Sequence, residues 1–228
     1  MAISATYLTL ASQIADELGG RSDLLTVQPS SGLTLSPVKN AIQSAIAKWE
    51  RERFYFNEVY NSATPLFTTV AGQEIYTTSD AAGIASAPEI DELRVLISGS
   101  RQVLTKRSWS YLEDMSSNPN ARGQPSEWAY YGQQIRIYPI PGAAYPIAAM
   151  RVQRLAALSA DADTNVWTTD GFDLIRCEAK SILALEVLQD AEMAAKFQAP
   201  IYGPRGYLYV LKAETTRRAK SGIKPTQF

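Results

Sequence analysis

The chain reads as an α+β protein in which N- and C-terminal helices form a helical bundle interrupted by a β-rich insertion, a sandwich or small barrel. Three observations carry that reading. Apolar residues recur at helical spacing up to about Arg53 and again from Phe172, the period shortens to a β-like one between Ser62 and Leu158, and glycine- and proline-containing turns punctuate that middle stretch. One domain, 1–228, is expected, comprising N-terminal helices over 1–61, the β-rich insertion over 62–158 and C-terminal helices with a tail over 159–228.

The first element is a short amphipathic helix over Thr6–Leu18, with Tyr7, Leu10, Ala11, Ile14, Ala15 and Leu18 on one face and Gly19-Gly20 as its stop. A turn-rich stretch through Pro29-Ser30-Ser31-Gly32 leads to Ser36-Pro37, where serine can cap and proline can take the first helical position. The second helix carries the stripe Val38, Ala41, Ile42, Ala45, Ile46 and Trp49 and is expected to run to about Arg53.

Strands are expected over 66–70, 73–77, 89–98, 126–131, 134–138 and 145–154, with turns at Gly72, Gly99-Ser100, Gly132-Gln133 and Pro141-Gly142. Tyr131-Gly132-Gln133-Gln134 has the form of a hairpin tip between antiparallel strands. A short helix at 108–115 interrupts them. After Thr169-Asp170-Gly171, a helix begins with two adjoining stripes: Phe172, Ile175, Ala179, Ile182 and Leu183 beside Leu174, Cys177, Ala184, Leu185 and Leu188. That apolar width predicts a central helix, buried between others or across a subunit boundary. A last helix over about 206–221 is apolar early and basic late, and Gly222 is its expected stop.

Composition narrows the function classes. With 22 basic against 23 acidic residues and a net charge of −1, no global field draws nucleic acid or anionic lipid. The chain has no histidine, which removes the usual general base near neutral pH and the commonest metal ligand. The lone Cys177 has no partner for an internal disulfide and reads as a core thiol. The N-terminus lacks the cationic n-region of a signal peptide, and no apolar run approaches the ~20 residues that span a bilayer.

Candidate chemistry is sparse. Asp161-Ala162-Asp163-Thr164-Asn165 begins like a calcium loop, but Val166 and Phe172 stand where glycine and a bidentate glutamate are needed. It reads as an Asx-rich turn that leads Trp167 into the core. Gly19-Gly20-Arg21-Ser22 lacks a P-loop lysine, and no serine-nucleophile motif has a credible setting. Carboxylates cluster at Glu89, Asp91 and Glu92 and at Glu113 and Asp114, which keeps a glycan-cleaving alternative open. No catalytic, cofactor or metal residue is assigned.

The heaviest feature is the exit of the second helix, Trp49-Glu50-Arg51-Glu52-Arg53-Phe54-Tyr55-Phe56. Three consecutive rings are not expected to enter one core together, so at least one should cover another segment or another subunit. Trp49, Phe54, Tyr55 and Phe56 are therefore the candidates for subunit contact or for packing, with Trp49 equally suited to its own core.

Several segments, in order, resemble the head-to-tail adaptor (connector) proteins of short-tailed bacteriophages: the 49–58 helix exit, Gly72-Gln73-Glu74-Ile75-Tyr76, Gly123-Gln124-Pro125-Ser126-Glu127-Trp128-Ala129-Tyr130, Ile135-Arg136-Ile137-Tyr138-Pro139-Ile140-Pro141 and Asp163-Thr164-Asn165-Val166-Trp167. None is a catalytic signature. The resemblance implies a structural virion protein, a non-enzymatic adaptor in a homo-oligomeric dodecameric ring below the portal protein. That ring would extend the DNA channel and dock the tail nozzle and fibre proteins. DNA would be passing cargo, no membrane would be involved, and assembly would take place in the host cytoplasm before the protein takes its place at the virion neck. Tyr207, Leu208, Leu211, Arg217, Arg218, Lys220, Lys224 and Phe228, on the last helix and tail, are the portal-contact candidates under that resemblance. A head-completion or tail-terminator protein and a tail-associated cell-wall hydrolase are the alternatives.

Overall fold

A computed structural model describes residues 5–27, 34–61, 63–116 and 122–219. The chain divides into two compact units, one drawn from residues up to Phe56 and from Leu155 onward, the other from Asn57–Arg154.

In the helical unit, α1 (Tyr7–Glu17) starts where the Thr6 hydroxyl accepts the N–H of Thr9, and it stops where Gly19 and Gly20 take positive φ. Helix α2 (Pro37–Trp49) buries every residue of its expected stripe. Its start departs from expectation in one respect. Ser36 holds the capping position and Pro37 the first turn, yet the Ser36 hydroxyl makes no capping bond and is buried without a partner among the described residues. Its backbone carbonyl accepts from Asn40 instead, and the Asn40 side chain reaches back to the Leu35 carbonyl. The helix also ends at Trp49, short of Arg53.

Trp167, on a 3-10 turn over Val166–Thr168, is fully buried, and Asn165 caps that turn in a reciprocal pair with Thr168. The Asp163 carboxylate accepts from the N–H groups of Ser159 and Ala160, as the Asx-rich reading requires. Helix α5 (Phe172–Glu186) is central: it packs on α2 and on α6 (Ala191–Tyr202), and more lightly on α1 and α7 (Tyr207–Ala219). Leu185 does not share its burial and is exposed at the helix end. Cys177 is buried on this helix, and burial pushes its thiol pKa up.

Two charged residues on α5 lie inside. Glu178 is buried and accepts from the Lys48 ammonium at 2.6 Å, and Lys180 meets Glu17 at 2.5 Å. Helix α6 has no counterpart among the expected elements. Asp190 caps it, and its buried residues are only Ala194 and Ile201, with Pro200 inside its last turn.

The β-rich unit is a two-sheet sandwich. One sheet runs in the order β1 (Glu58–Tyr60), β11 (Pro146–Val152), β4 (Glu89–Ile97), β5 (Ser100–Val103), with β2 (Phe67–Thr68) also on β11. The other runs β3 (Ile75–Tyr76), β9 (Gln134–Tyr138), β8 (Glu127–Tyr131), β6 (Thr105–Lys106). A short parallel pair, β7 (Arg122–Gly123) and β10 (Ile140–Pro141), stands apart. Helices α3 (Ala82–Ala85) and α4 (Trp109–Met115) complete the unit.

The Gly132-Gln133 hairpin tip forms as expected, and the turn expected at Gly99-Ser100 falls one residue earlier, on Ser98-Gly99, with Ser100 already in β5. Tyr131 pairs with Gln134 across Gly132 and Gln133, and Ile97 pairs with Ser100 across Ser98 and Gly99, with all four turn residues at positive φ. The sandwich core joins Leu93, Val95 and Ile147 of one sheet to Trp128, Ile135 and Ile137 of the other. Strands β5 and β6 are nearly continuous, and the chain crosses from one sheet to the other at Leu104, which is buried and bonds the Leu93 carbonyl at 2.9 Å. That shared segment closes one side of the sandwich. At the other end of the unit, the Gln153 N–H donates to the Asn57 carbonyl at 2.8 Å, so the entering and leaving strands lie side by side.

Candidate assembly site

The chain leaving α2 folds back on itself. Glu52 N–H bonds the Trp49 carbonyl at 3.0 Å, and a turn over 55–57 brings Phe56 over Phe54, their rings stacked with centroids 5.3 Å apart. Both rings meet Trp167 edge-on, at 5.8 and 5.0 Å, and Tyr55 meets Phe56 edge-on at 5.2 Å. Only Phe54 enters the core fully, and Tyr55 covers a second segment, as the expectation for at least one of the three rings required. A strand would alternate them, whereas this turn stacks the first on the third and sets the second against its edge. Phe54 is fully buried, Tyr55 and Phe56 are half-buried, and Trp49 is interior, lying 6.2 Å from Tyr202 with the Lys48 ammonium over its ring.

Helix α7 docks on this exit. The Thr215 hydroxyl donates to the Leu211 carbonyl at 2.8 Å and accepts from the Tyr55 N–H at 3.0 Å. The Arg218 guanidinium lies 3.8 Å over the Tyr55 ring and is held there by the Glu214 carboxylate at 2.7 Å. Lys212 pairs with Glu52 at 2.7 Å. The Tyr55 hydroxyl, partly desolvated and hydrogen-bonded to the Asp170 carboxylate, has its pKa pushed up to about 12. The aromatic exit and the last helix, two separate groups of candidates in the sequence, thus form one constellation within a single chain.

Within that constellation the candidates differ in what surface they retain. Tyr207 and Leu208 are half-buried against the helical core and Leu211 is buried in it, so α7 turns its inner stripe of Leu208, Leu211 and Thr215 to its own chain. Arg217 and Arg218 are exposed. Lys220, Lys224 and Phe228, and the expected stop at Gly222, lie outside the described residues. Of the outer stripe of α7, only Arg217 was among the expected contact residues. Tyr209 and Val210 are 63% and 50% exposed there, and with Arg205, Ala213, Glu214 and Arg217 they line a hollow of about 330 Å³. The signal was present in the helical period: Val210, Ala213 and Arg217 follow each other at i, i+3 and i+7.

Several of the acidic candidates for chemistry have structural partners. Asp161 pairs with Lys39, Glu92 with Arg94, and Glu113 approaches Arg136 at 3.8 Å. Among the described residues no three acidic or cysteine side chains gather as a metal site, and no helix is long and apolar enough to cross a membrane.

A family model described as SU10 adaptor protein matches residues 5–201. The chain belongs to this family. It is a structural phage protein, an adaptor of the virion whose family works with portal and tail proteins. No curated protein matches the chain. The family match covers the aromatic exit, all of the β-rich unit and α5, and it ends before α7, so the portal-contact candidates of this adaptor lie beyond the matched residues.

Proposed function

We propose that copies of this adaptor close into a ring, a dodecamer, below the portal protein, prolonging the DNA channel and offering a docking platform to the tail nozzle and fibres. The observation that supports the reading is the outer face of α7, where Tyr209 and Val210 stand exposed beside Arg205 and Arg217 on a helix already fixed to its own chain by Thr215 and Tyr55. An apolar stripe with a cationic rim has the make-up of a protein interface. Subunits add to the portal after DNA packaging in this reading, and α7 and the residues after it make the contact. Neighbours meet through heterologous contacts that close by rotation, and DNA passes as cargo without a specific site. No catalysis is assigned, and assembly takes place in the host cytoplasm.

Electron microscopy of the purified chain with and without portal protein tests this. Rings that form only on the portal are the expected result, and a chain that stays solitary in its presence would count against the proposal. A deletion suited to locating the contact removes residues 220–228, because cutting after Gly203 would also take Leu211 and Thr215 out of the helical core. The surface variant Tyr209→Ser with Val210→Ser should weaken portal binding while leaving the fold intact.

A further inference from the structure

In the β-rich unit, a cavity of about 320 Å³ opens between β1, β11, α3 and the segment around Thr64, lined by Asn61, Thr64, Leu66, Gly83, Arg151 and Gln153 among others. Arg151 reaches it from a β-bulge: Met150 pairs with Glu92 and Arg151 with Ile90, which leaves Asp91 as the extra residue of β4. The guanidinium donates to the Gly83 carbonyl, to the Ser86 hydroxyl at 3.2 Å and to the Gln153 side-chain carbonyl at 3.0 Å. Every one of these acceptors is neutral.

Removing a guanidinium from water without a counter-charge is unfavourable, and burial here lowers the Arg151 pKa. Arginine has five N–H donors, and these bonds use three of them. The Nε hydrogen and one of the two on Nη2 make no hydrogen bond among the described residues, and the Nε–Nη2 edge is one that can take a carboxylate through two parallel bonds. Asn61 adds to the donor set: its side-chain oxygen is taken by the N–H groups of Ala63 and Thr64 at 2.8 and 3.3 Å, leaving its amide nitrogen to donate. The backbone at Gly83 comes close to the site: a Cβ there would come within 2.5 Å of Leu66 Cδ1 and 3.1 Å of Arg151 Nη1, so a side chain would require both to shift.

We infer that this cavity is a receptor for one carboxylate group, bound side-on by Arg151 with Asn61 as a second donor. The group is either a free small carboxylate or an acidic side chain of a second copy of the chain. The inference does not depend on α7 or on ring formation, so its failure leaves the adaptor reading intact.

Titration of the isolated full-length chain with acetate at constant ionic strength, followed by the amide resonances of Gly83, Ser86 and Gln153, tests it. Saturable shifts are expected with acetate and not with chloride. Arg151→Gln should abolish saturation, and Arg151→Lys, which keeps the charge without the fork, should weaken binding about tenfold. Should Arg151→Gln fail to fold, the lysine variant and the acetate-against-chloride comparison carry the test. Shifts that stay linear in acetate, or equal binding by Arg151→Gln and Arg151→Lys variants and the unaltered chain, would overturn the site. Sedimentation then separates the two sources. Self-association that acetate suppresses and Arg151→Gln abolishes assigns the carboxylate to a second copy, whereas acetate binding by a chain that stays monomeric assigns it to a small molecule; both uphold the receptor.

Discussion

The N–H of Tyr55 ends on the hydroxyl of Thr215, 3.0 Å away and 160 positions later in the chain. That bond anchors the last helix to the exit of the second, and the same hydroxyl donates a hydrogen bond to the Leu211 carbonyl. Replacing Thr215 with valine keeps the shape and leaves the Tyr55 N–H without its acceptor. A loss of about 1–3 kcal/mol is expected. Thr215→Ser should lose less. Urea unfolding of the three proteins, read by helical circular dichroism, measures the difference.

Tyr55 should titrate late. Its folded pKa is about 12 against an ordinary value near 10, so the unfolded chain releases this proton first as pH rises. The contribution of Tyr55 to stability is therefore complete below pH ~10 and disappears as pH rises through about 12. Ultraviolet titration of tyrosinate should show one fewer late-titrating group in Tyr55→Phe. A Tyr55 that ionises near pH 10 in the folded protein would contradict the partial burial of its hydroxyl and the contact with Asp170 together.

Glu178 is buried and its ammonium partner, Lys48, is half exposed. Burial works to lower the Lys48 pKa, but hydrogen bonds to Glu178 and Tyr202 outweigh it and the net shift is upward. Lys48→Met would strand the buried carboxylate and should destabilise the helical unit by the low end of roughly 3–5 kcal/mol, since Lys48 keeps some of its hydration in the folded state. The double variant Lys48→Met with Glu178→Met should recover much of that loss. Thermal unfolding of both variants decides whether the cost lies in the stranded charge or in lost packing.

Ser98 occupies the left-handed region at φ 46° in the two-residue turn between β4 and β5. Asparagine adopts that conformation more readily, and Asn-Gly is the preferred pair for such a turn. Ser98→Asn should therefore raise the unfolding midpoint of the β-rich unit, by the equivalent of a few tenths to about 1 kcal/mol. A lowered midpoint would mean that this turn is not held as described.

The elements most legible in the sequence were those whose large apolar residues kept one period. The stripe from Val38 to Trp49 is buried residue for residue, and the Gly132-Gln133 turn sits where its backbone freedom demands. Helix α6 is poorly legible because most of its surface is exposed, its alanines fall on outer as well as inner positions, and Pro200 stands inside its last turn, so the inward Met193, Ala194, Phe197 and Ile201 do not stand out as a stripe. Ser36 has the right residue type and place for a cap, but its hydroxyl turns inward and Asn40 does the bonding. For the candidate site, residue types were legible and relationships were not. Nothing in the sequence distance between Tyr55 and Arg218 indicates a cation over a ring, nor does the stripe of α7 say which of its two sides remains open.

The backbone bond between Gln153 and Asn57 has a consequence for how this architecture can change. Because the β-rich stretch begins and finishes at adjoining points, it resembles a cassette spliced into a hairpin: the scaffold on either side needs only two neighbouring threads to carry on. A shorter graft, or a different sandwich cut at the same two points, would leave the helices their register. Variation can then accumulate in the cassette without disturbing the core of the helical unit.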